Sequence, residues 1–474
     1  MKKIFIYILP VVLLASCAKN LEDYNIDQKN PVTVSAASLF SNALKALTDN
    51  QTTPSVNINV FRFWTQQWAA TTYQDEPRYN ITTRNIPLNY WTPMYREVLM
   101  DLKESKTITE ADATLTTAVK NNRVALTEIT SVYTWSILVN TWGDIPYSEA
   151  LSDVNRPVYD RAADIYADLF RRLDAAIALL TIGNSSFDSA DLLYNGDNAA
   201  WIKFANSLKL KLAITVADVD PATAQAEILA AYSGAFTSNA DNAVFAYQTA
   251  TPNNNPISTN LNSLYTSRQD YVAGATIIDK MNALNDPRRS FYFTEVASGG
   301  YVGGNAGSSN LFADLSHVSD FIIASDFEAL LLDYSEVEFI LAEAAERWGI
   351  AGSAAEHYTN AITASIEYWG GTAAQATTYL AQTGVAYATA TGNYKQKIGE
   401  QKYLALYNRG YDAWIEYRRL DYPVLIPASD AVSVFPLRLT YPTSERTLNQ
   451  ANVESAAVSI GGDAVGTKVF WDIF

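Results

Sequence analysis

Leu14-Ala15-Ser16-Cys17 carries the most specific chemistry in the chain. An apolar residue, two small residues and a cysteine form a lipobox. The small side chains let a signal peptidase approach the backbone, and the thiol accepts a diacylglycerol group. Lys2 and Lys3 supply a short positive region ahead of it. Ile4 to Leu14 is then an apolar run interrupted only by Pro10, too short for a membrane span and flanked like a secretory signal. Cys17 is the only cysteine among 474 residues, so no intramolecular disulfide and no cysteine-based metal site can form. Several acyl chains on one sulfur anchor durably, since each buried methylene adds about 0.8 kcal/mol. The expected organisation is a signal peptide over 1–16, a lipidated tether over 17–34 and a single domain over 35–474.

Catalytic chemistry is hard to find. His317 and His357 are the only histidines and do not form HExxH. No G-x-S-x-G elbow, G-x-x-x-x-G-K-[ST] loop or G-x-G-x-x-G fingerprint occurs. Paired carboxylates for glycoside hydrolysis have no fixed spacing, and with 50 Asp and Glu a surface polysaccharide hydrolase stays open as the enzymatic alternative. No catalytic residue, metal ligand or cofactor is assigned. A formal net charge of −16 disfavours nucleic acid as a partner, because phosphate binding needs clustered Lys and Arg. It disfavours adhesion to anionic lipid for the same reason.

Binding chemistry is easier to place. Between 61 and 91, aromatic and polar residues interleave: Phe61, Phe63, Trp64, Gln66, Gln67 and Trp68, then Tyr73, Gln74, Asp75, Arg78 and Tyr79, then Tyr90 and Trp91. A sugar ring presents an apolar C–H face that an exposed Trp or Tyr covers, and a hydroxyl rim that Asn, Gln, Asp or Arg reads. The candidate contacts are Trp64, Gln67, Tyr73, Arg78 and Tyr79, joined by Tyr271 and Tyr292 from a later segment. The competing reading is that Trp64 and Trp68, at i and i+4, form one buried helix face.

The elements that must position these residues are mainly helical. Ile165, Leu169, Leu173, Ile177 and Leu180 line one face, and Trp201, Phe204, Ala205, Leu208, Leu212 and Val216 another. Residues 122–140 are apolar all round, predicting a buried helix. Val337, Leu341, Ala344 and Trp348, then a turn at Gly349 to Gly352, then Tyr358, Ile362, Ile366 and Trp369 predict a helix pair. Within it Leu341, Ala342, Ala345, Ala354, Tyr358 and Ala361 have the spacing of a tetratricopeptide repeat. Residues 250–326, rich in Asn, Ser, Gly and Pro, read as a long loop-rich insertion of the kind that carries function. From about 428 periodicity fades, and loops with a short hairpin are expected. The predicted fold class is mainly α: tetratricopeptide-like helix pairs in a right-handed scaffold, with the insertion and a short C-terminal β/loop region. A purely structural or adhesive repeat protein is the third functional class this permits.

Four blocks resemble the SusD/RagB-like outer-membrane lipoproteins of Bacteroidetes: Asn140-Thr141-Trp142-Gly143-Asp144-Ile145-Pro146-Tyr147-Ser148-Glu149-Ala150; Tyr194-Asn195-Gly196-Asp197 followed by Trp201 and Phe204-Ala205-Asn206-Ser207-Leu208-Lys209; Tyr411-Asp412-Ala413-Trp414-Ile415-Glu416-Tyr417-Arg418-Arg419; and Tyr441-Pro442-Thr443-Ser444-Glu445 with Asn449 and Asn452. Their order behind a lipobox makes the resemblance specific. It implies four tetratricopeptide-like helix pairs supporting a loop-rich region. It also implies a surface lipoprotein that captures oligosaccharide and delivers it to a SusC-like TonB-dependent transporter. Some relatives handle peptides, so a peptide ligand is the alternative the resemblance leaves open. Gly143, Asp144, Pro146, Asp197 and Asn206 read as turn and cap residues, and no ligand contact carries over.

Overall fold

The computed structural model describes residues 34–474. Cys17, the signal peptide and all of the tether but Val34 lie outside the described residues.

The chain opens with α1 (Ala36–Thr52), whose first turn is closed by Ser35 Oγ accepting from the Ser38 amide at 3.0 Å. A single turn, α2 (Phe61–Trp64), leads into β1 (Trp68–Ala70). Helix α3 (Ile86–Pro93) continues through a π-helical turn at Met94–Leu99 into α4 (Met100–Ala111), which packs on α1. Next come α5 (Thr117–Trp142), a short clip between β2 (Ile145–Pro146) and β3 (Tyr159–Asp160), α6 (Ala162–Leu179), α7 (Asn198–Thr215) and α8 (Pro221–Ala231). Strand β4 (Ala243–Phe245) precedes the insertion. The insertion holds α9 (Pro256–Leu261), β5 (Tyr271–Ala273), α10 (Ala275–Ala283) and α11 (Arg289–Tyr292), and β6 (Ala329–Leu332) closes it by pairing with β4. Helices α12 (Tyr334–Trp348), α13 (Ala354–Tyr368), α14 (Ala373–Leu380), α15 (Tyr394–Ala405) and α16 (Gly410–Leu420) follow. Successive helices pack as pairs, most extensively α12 with α13, α5 with α6 and α7 with α8. Among the described residues no helix is long and apolar enough to cross a membrane.

The predicted helices form where periodicity placed them. Leu341, Ala342, Tyr358 and Ala361 are buried between α12 and α13, and Gly349 ends α12 in the left-handed region at φ 65°. Helix α5 is buried on nearly every side from Ala125 onward. It tolerates this because its hydroxyls bond back along the helix: Thr130 to Leu126 O at 2.8 Å, Thr134 to Thr130 O at 2.9 Å and Thr141 to Ile137 O at 2.6 Å. The family blocks act as scaffold. Asp144 accepts from the Ala162 amide at 2.9 Å to start α6, and Asp197 accepts from Ala199 at 2.8 Å to start α7. His357 is a packing residue, with Nδ1 2.8 Å from Glu338 Oε2 and Nε2 2.8 Å from Ala351 O.

Two expectations change. The hairpin expected near the end is replaced by α17 (Thr443–Leu448) and α18 (Gln450–Ser459). These short helices bury little beyond Val453 and Ala456, too little to print a period, and Gly461 and Gly462 at positive φ stop the second. The insertion is mostly loop, as its composition predicts, but α10 buries Ile277, Ile278 and Met281 as a regular amphipathic helix.

Buried charge ties the helix pairs together. Lys211 of α7 pairs with Glu336 of α12 at 3.0 Å and Asp412 of α16 at 2.5 Å. Arg409 contacts Glu336 at 2.5 Å and Asp412 at 2.8 Å. Arg419 contacts Glu343 at 2.5 Å and Glu416 at 2.9 Å. Burial pushes the Glu343 carboxyl up, but Arg419 and Arg347 outweigh it and hold the group down at about 2.

Candidate functional site

Strand β1 pairs antiparallel with β5, Trp68 opposite Ala273 and Ala70 opposite Tyr271. Residues 61–91 and the insertion therefore meet, yet most of the aromatics expected to face a ligand lie beneath that junction. Trp64 is fully buried against Phe61 and Trp414, at ring separations of 5.4 and 5.7 Å, and its Nε1 donates to Glu76 O at 3.1 Å. Gln67 is enclosed and bridges Leu406 O at 2.9 Å and the Asn408 amide at 3.1 Å. Tyr271 stacks on Trp68 and donates to Pro54 O at 2.9 Å. Tyr292 stacks on Tyr407 at 4.1 Å and donates to Leu404 O at 3.0 Å. Tyr79 meets Phe435 edge-on and accepts from the Ala428 amide at 3.3 Å. These five are core residues, so none offers a free ring or amide to solvent. Trp64 and Trp68 are both buried, as the competing reading expects, but they share no helix face: Trp64 closes α2 and Trp68 opens β1.

Tyr73 and Arg78 are half-buried at the edge of the junction. Arg78 Nε donates to Gly307 O at 2.8 Å, and its guanidinium lies 3.2 Å from Asp430, tying the 71–85 loop to segments near 307 and 430. Tyr73, in the left-handed region at φ 56°, supports two guanidiniums over its ring: Arg84 at 4.8 Å and Arg268 at 5.2 Å. Arg84 is braced by the buried Glu76 at 2.6 Å, and Arg268 by an ion pair with Asp270. Burial outweighs Arg84 at Glu76 and raises its carboxyl. Asp270 in turn accepts from the Thr72 hydroxyl at 2.7 Å, and its carbonyl accepts from the Thr71 amide at 2.8 Å. The result is a surface of fixed guanidinium donors rather than a bare aromatic plate. Bare rings stand in the same insertion: Tyr265, three residues before Arg268, is 38% exposed, and Phe321 is 52% exposed.

Arg84, Arg268, Tyr265 and Phe321 escape sequence reasoning. Arg84 and Arg268 share Tyr73 only because the β1–β5 register brings them together, and no local spacing records that pairing. Tyr265 sits in a polar run without a period.

A family model described as SusD-like, "Starch-binding associating with outer membrane", matches residues 28–442. The chain belongs to the SusD-like family. Solved structures agree with that assignment. A chitin-binding protein superposes with TM-score 0.81 at 26% identity, covering 93% of this chain and 100% of its own. A SusD homologue from Bacteroides uniformis gives TM-score 0.74 at 28% identity, with 93% and 100% covered. A chitin-binding SusD homologue from Flavobacterium johnsoniae shares the fold with TM-score 0.77 at 24% identity, covering 92% and 98%. No curated protein sequence matches. The SusD-like helical scaffold thus accounts for nearly the whole described chain, and the Tyr73 junction lies in its loop-rich part.

Proposed function

We propose that this SusD-like protein captures oligosaccharide at the cell surface without turning it over and passes it to a SusC-like TonB-dependent transporter. Anchored through Cys17, it would face outward from the outer membrane. The observation that carries the binding reading is the Tyr73 junction, where Arg84 and Arg268 present donors to a hydroxyl rim; Tyr265, in the same insertion, has an exposed ring suited to a C–H face. The family's starch-binding description and the chitin-binding relatives support a glycan as the ligand. A capture protein must release its cargo, so dissociation constants of about 1 μM to 1 mM are expected, or roughly 4–8 kcal/mol.

Arg268→Ala and Tyr265→Ala should each weaken binding about ten-fold, the size of one charge-assisted hydrogen bond or one stacked ring. Both side chains are substantially exposed, so the melting temperature should hardly move. Calorimetric titration with malto- and chito-oligosaccharides checks this. Parent-like binding by both variants would remove the site, and new reducing ends after long incubation would revive the hydrolase reading.

Anchoring is tested separately. Because lipidation needs the thiol, Cys17→Ala should leave the protein unprocessed or soluble when cells are fractionated. A processed, membrane-bound variant would end the lipoprotein reading.

A further inference from the structure

A cleft of about 720 Å³ opens between the insertion and α14. Ligand sites typically measure about 300–1,000 Å³, so its size suits a small oligomer. Arg289, Glu295 and Tyr301 line the insertion side, while Gln375, Thr378 and Gln382 line the α14 side. At its base Asp286 and Arg288 form a fully buried ion pair at 2.5 Å and neutralise each other.

Arg289 is the unusual member. Its guanidinium lies 5.0 Å over the Tyr301 ring and Nη1 donates to Asn282 Oδ1 at 2.8 Å, which fixes its plane. Among the described residues no carboxylate lies within ion-pair distance of it, although most guanidiniums of this acidic chain have one. Arg62, Arg123, Arg156 and Arg418 also lack a carboxylate within that distance: carbonyl oxygens enclose the buried Arg62 and Arg418, Arg123 donates to Ser186 O over the Phe187 ring, and Arg156 is exposed. Arg289 instead stands at a cleft, with Nη2 accessible and unpartnered and Nε buried without a hydrogen-bond partner. A planar cation held by an aromatic ring and an amide, with Nη2 left free, can donate to a carboxylate. Gln375 and Thr378 of α14, with Gln382 just beyond its end, can read hydroxyls from the opposite side.

We propose that this cleft is a second saccharide subsite, selective for a carboxylate-bearing sugar whose carboxylate pairs with Arg289. The proposal rests on the reading of the chain as a glycan-capture protein, but it uses none of the residues at the Tyr73 junction. Glu295, exposed at the same rim, would disfavour ligands carrying a denser negative charge.

The test is calorimetric titration of the soluble chain, starting after Cys17, with trigalacturonic acid and with its neutral methyl ester. The acid should bind at least about ten-fold more tightly than the ester, and this preference should shrink as salt rises. Arg289→Gln should abolish the preference with the fold intact, whereas Arg268→Ala should leave it unchanged. Equal affinity for acid and ester, or a preference that survives Arg289→Gln, overturns the proposal. Loss of the acid preference in Arg268→Ala but not in Arg289→Gln would place acid binding at the Tyr73 junction, overturning this subsite while sparing the proposed function. Binding of neutral malto- or chito-oligosaccharides with no binding of the acid has the same consequence. Failure of every saccharide to bind would overturn both.

Discussion

Glu343→Ala should lower the unfolding free energy by about 3–5 kcal/mol, because it leaves a buried guanidinium without its carboxylate. The Arg419 and Glu343 side chains are only 2% and 1% exposed, so water cannot replace the lost partner. Glu416 at 2.9 Å and Ile214 O at 3.2 Å remain, and neither restores the two-point contact that Arg419 makes with Glu343. Arg347, 2.7 Å from Glu343, loses part of its neutralisation as well, though Asp218 still holds it. The acid limb should change too. The Glu343 carboxyl is held near 2 in the fold, below its ordinary value of 4.5. Its contribution is therefore fully present above about 4.5 and is lost as pH falls through about 2. Urea unfolding at pH 7 and pH 3 measures both effects. A loss under about 1 kcal/mol at pH 7 would mean that the remaining partners suffice. Replacing Glu343 and Arg419 together by leucine should recover much of the loss, since removing both charges leaves neither uncompensated.

The second large effect is expected from Trp414→Ala, again about 3–5 kcal/mol, now through a cavity. Trp414 is fully buried and holds together parts of the chain that share no local contact. Its ring meets Phe61 at 4.8 Å and Trp64 at 5.7 Å, its Nε1 donates to Pro436 O at 2.8 Å, and the Arg418 guanidinium lies over it at 3.5 Å. Burial lowers the Arg418 pKa to about 10, and removing the ring strips one face from that enclosed cation. The same denaturant titration checks it, and stability within about 1 kcal/mol of the parent would show that the neighbouring rings close the gap.

Those two residues also mark what the sequence revealed. The long helices were legible because each has one apolar stripe to bury, as in α6 with Ile165, Leu169 and Leu173. The α12–α13 pair was legible because small and large residues alternate at its seam. The candidate site was not. Thr65, Gln66 and Gln67 suggested a solvent-facing aromatic cluster, but all three are buried and satisfied internally, Thr65 on Phe61 O at 2.8 Å and Gln67 on Leu406 O at 2.9 Å. Polar neighbours signal exposure only when the fold does not bond them, and the partners of Gln66 and Gln67, Ile426 O and Leu406 O, lie more than 300 residues away. Strand β1 has three residues and no alternation, so the pairing that builds the Tyr73 junction left no trace in the pattern.

Asn140, at the end of α5, receives the Tyr166 hydroxyl at 2.6 Å and Trp471 Nε1 at 2.8 Å on its side chain, and the Arg418 guanidinium at 3.1 Å on its carbonyl. The Trp471 contact joins positions 331 residues apart. A helical protein is usually thought of as dominated by local contacts, yet this convergence point requires closure of a loop spanning most of the chain. During synthesis α5 and α6 emerge long before the segment that completes their packing. Until it arrives their apolar surfaces stay open, so the helix content understates how non-local the final assembly is.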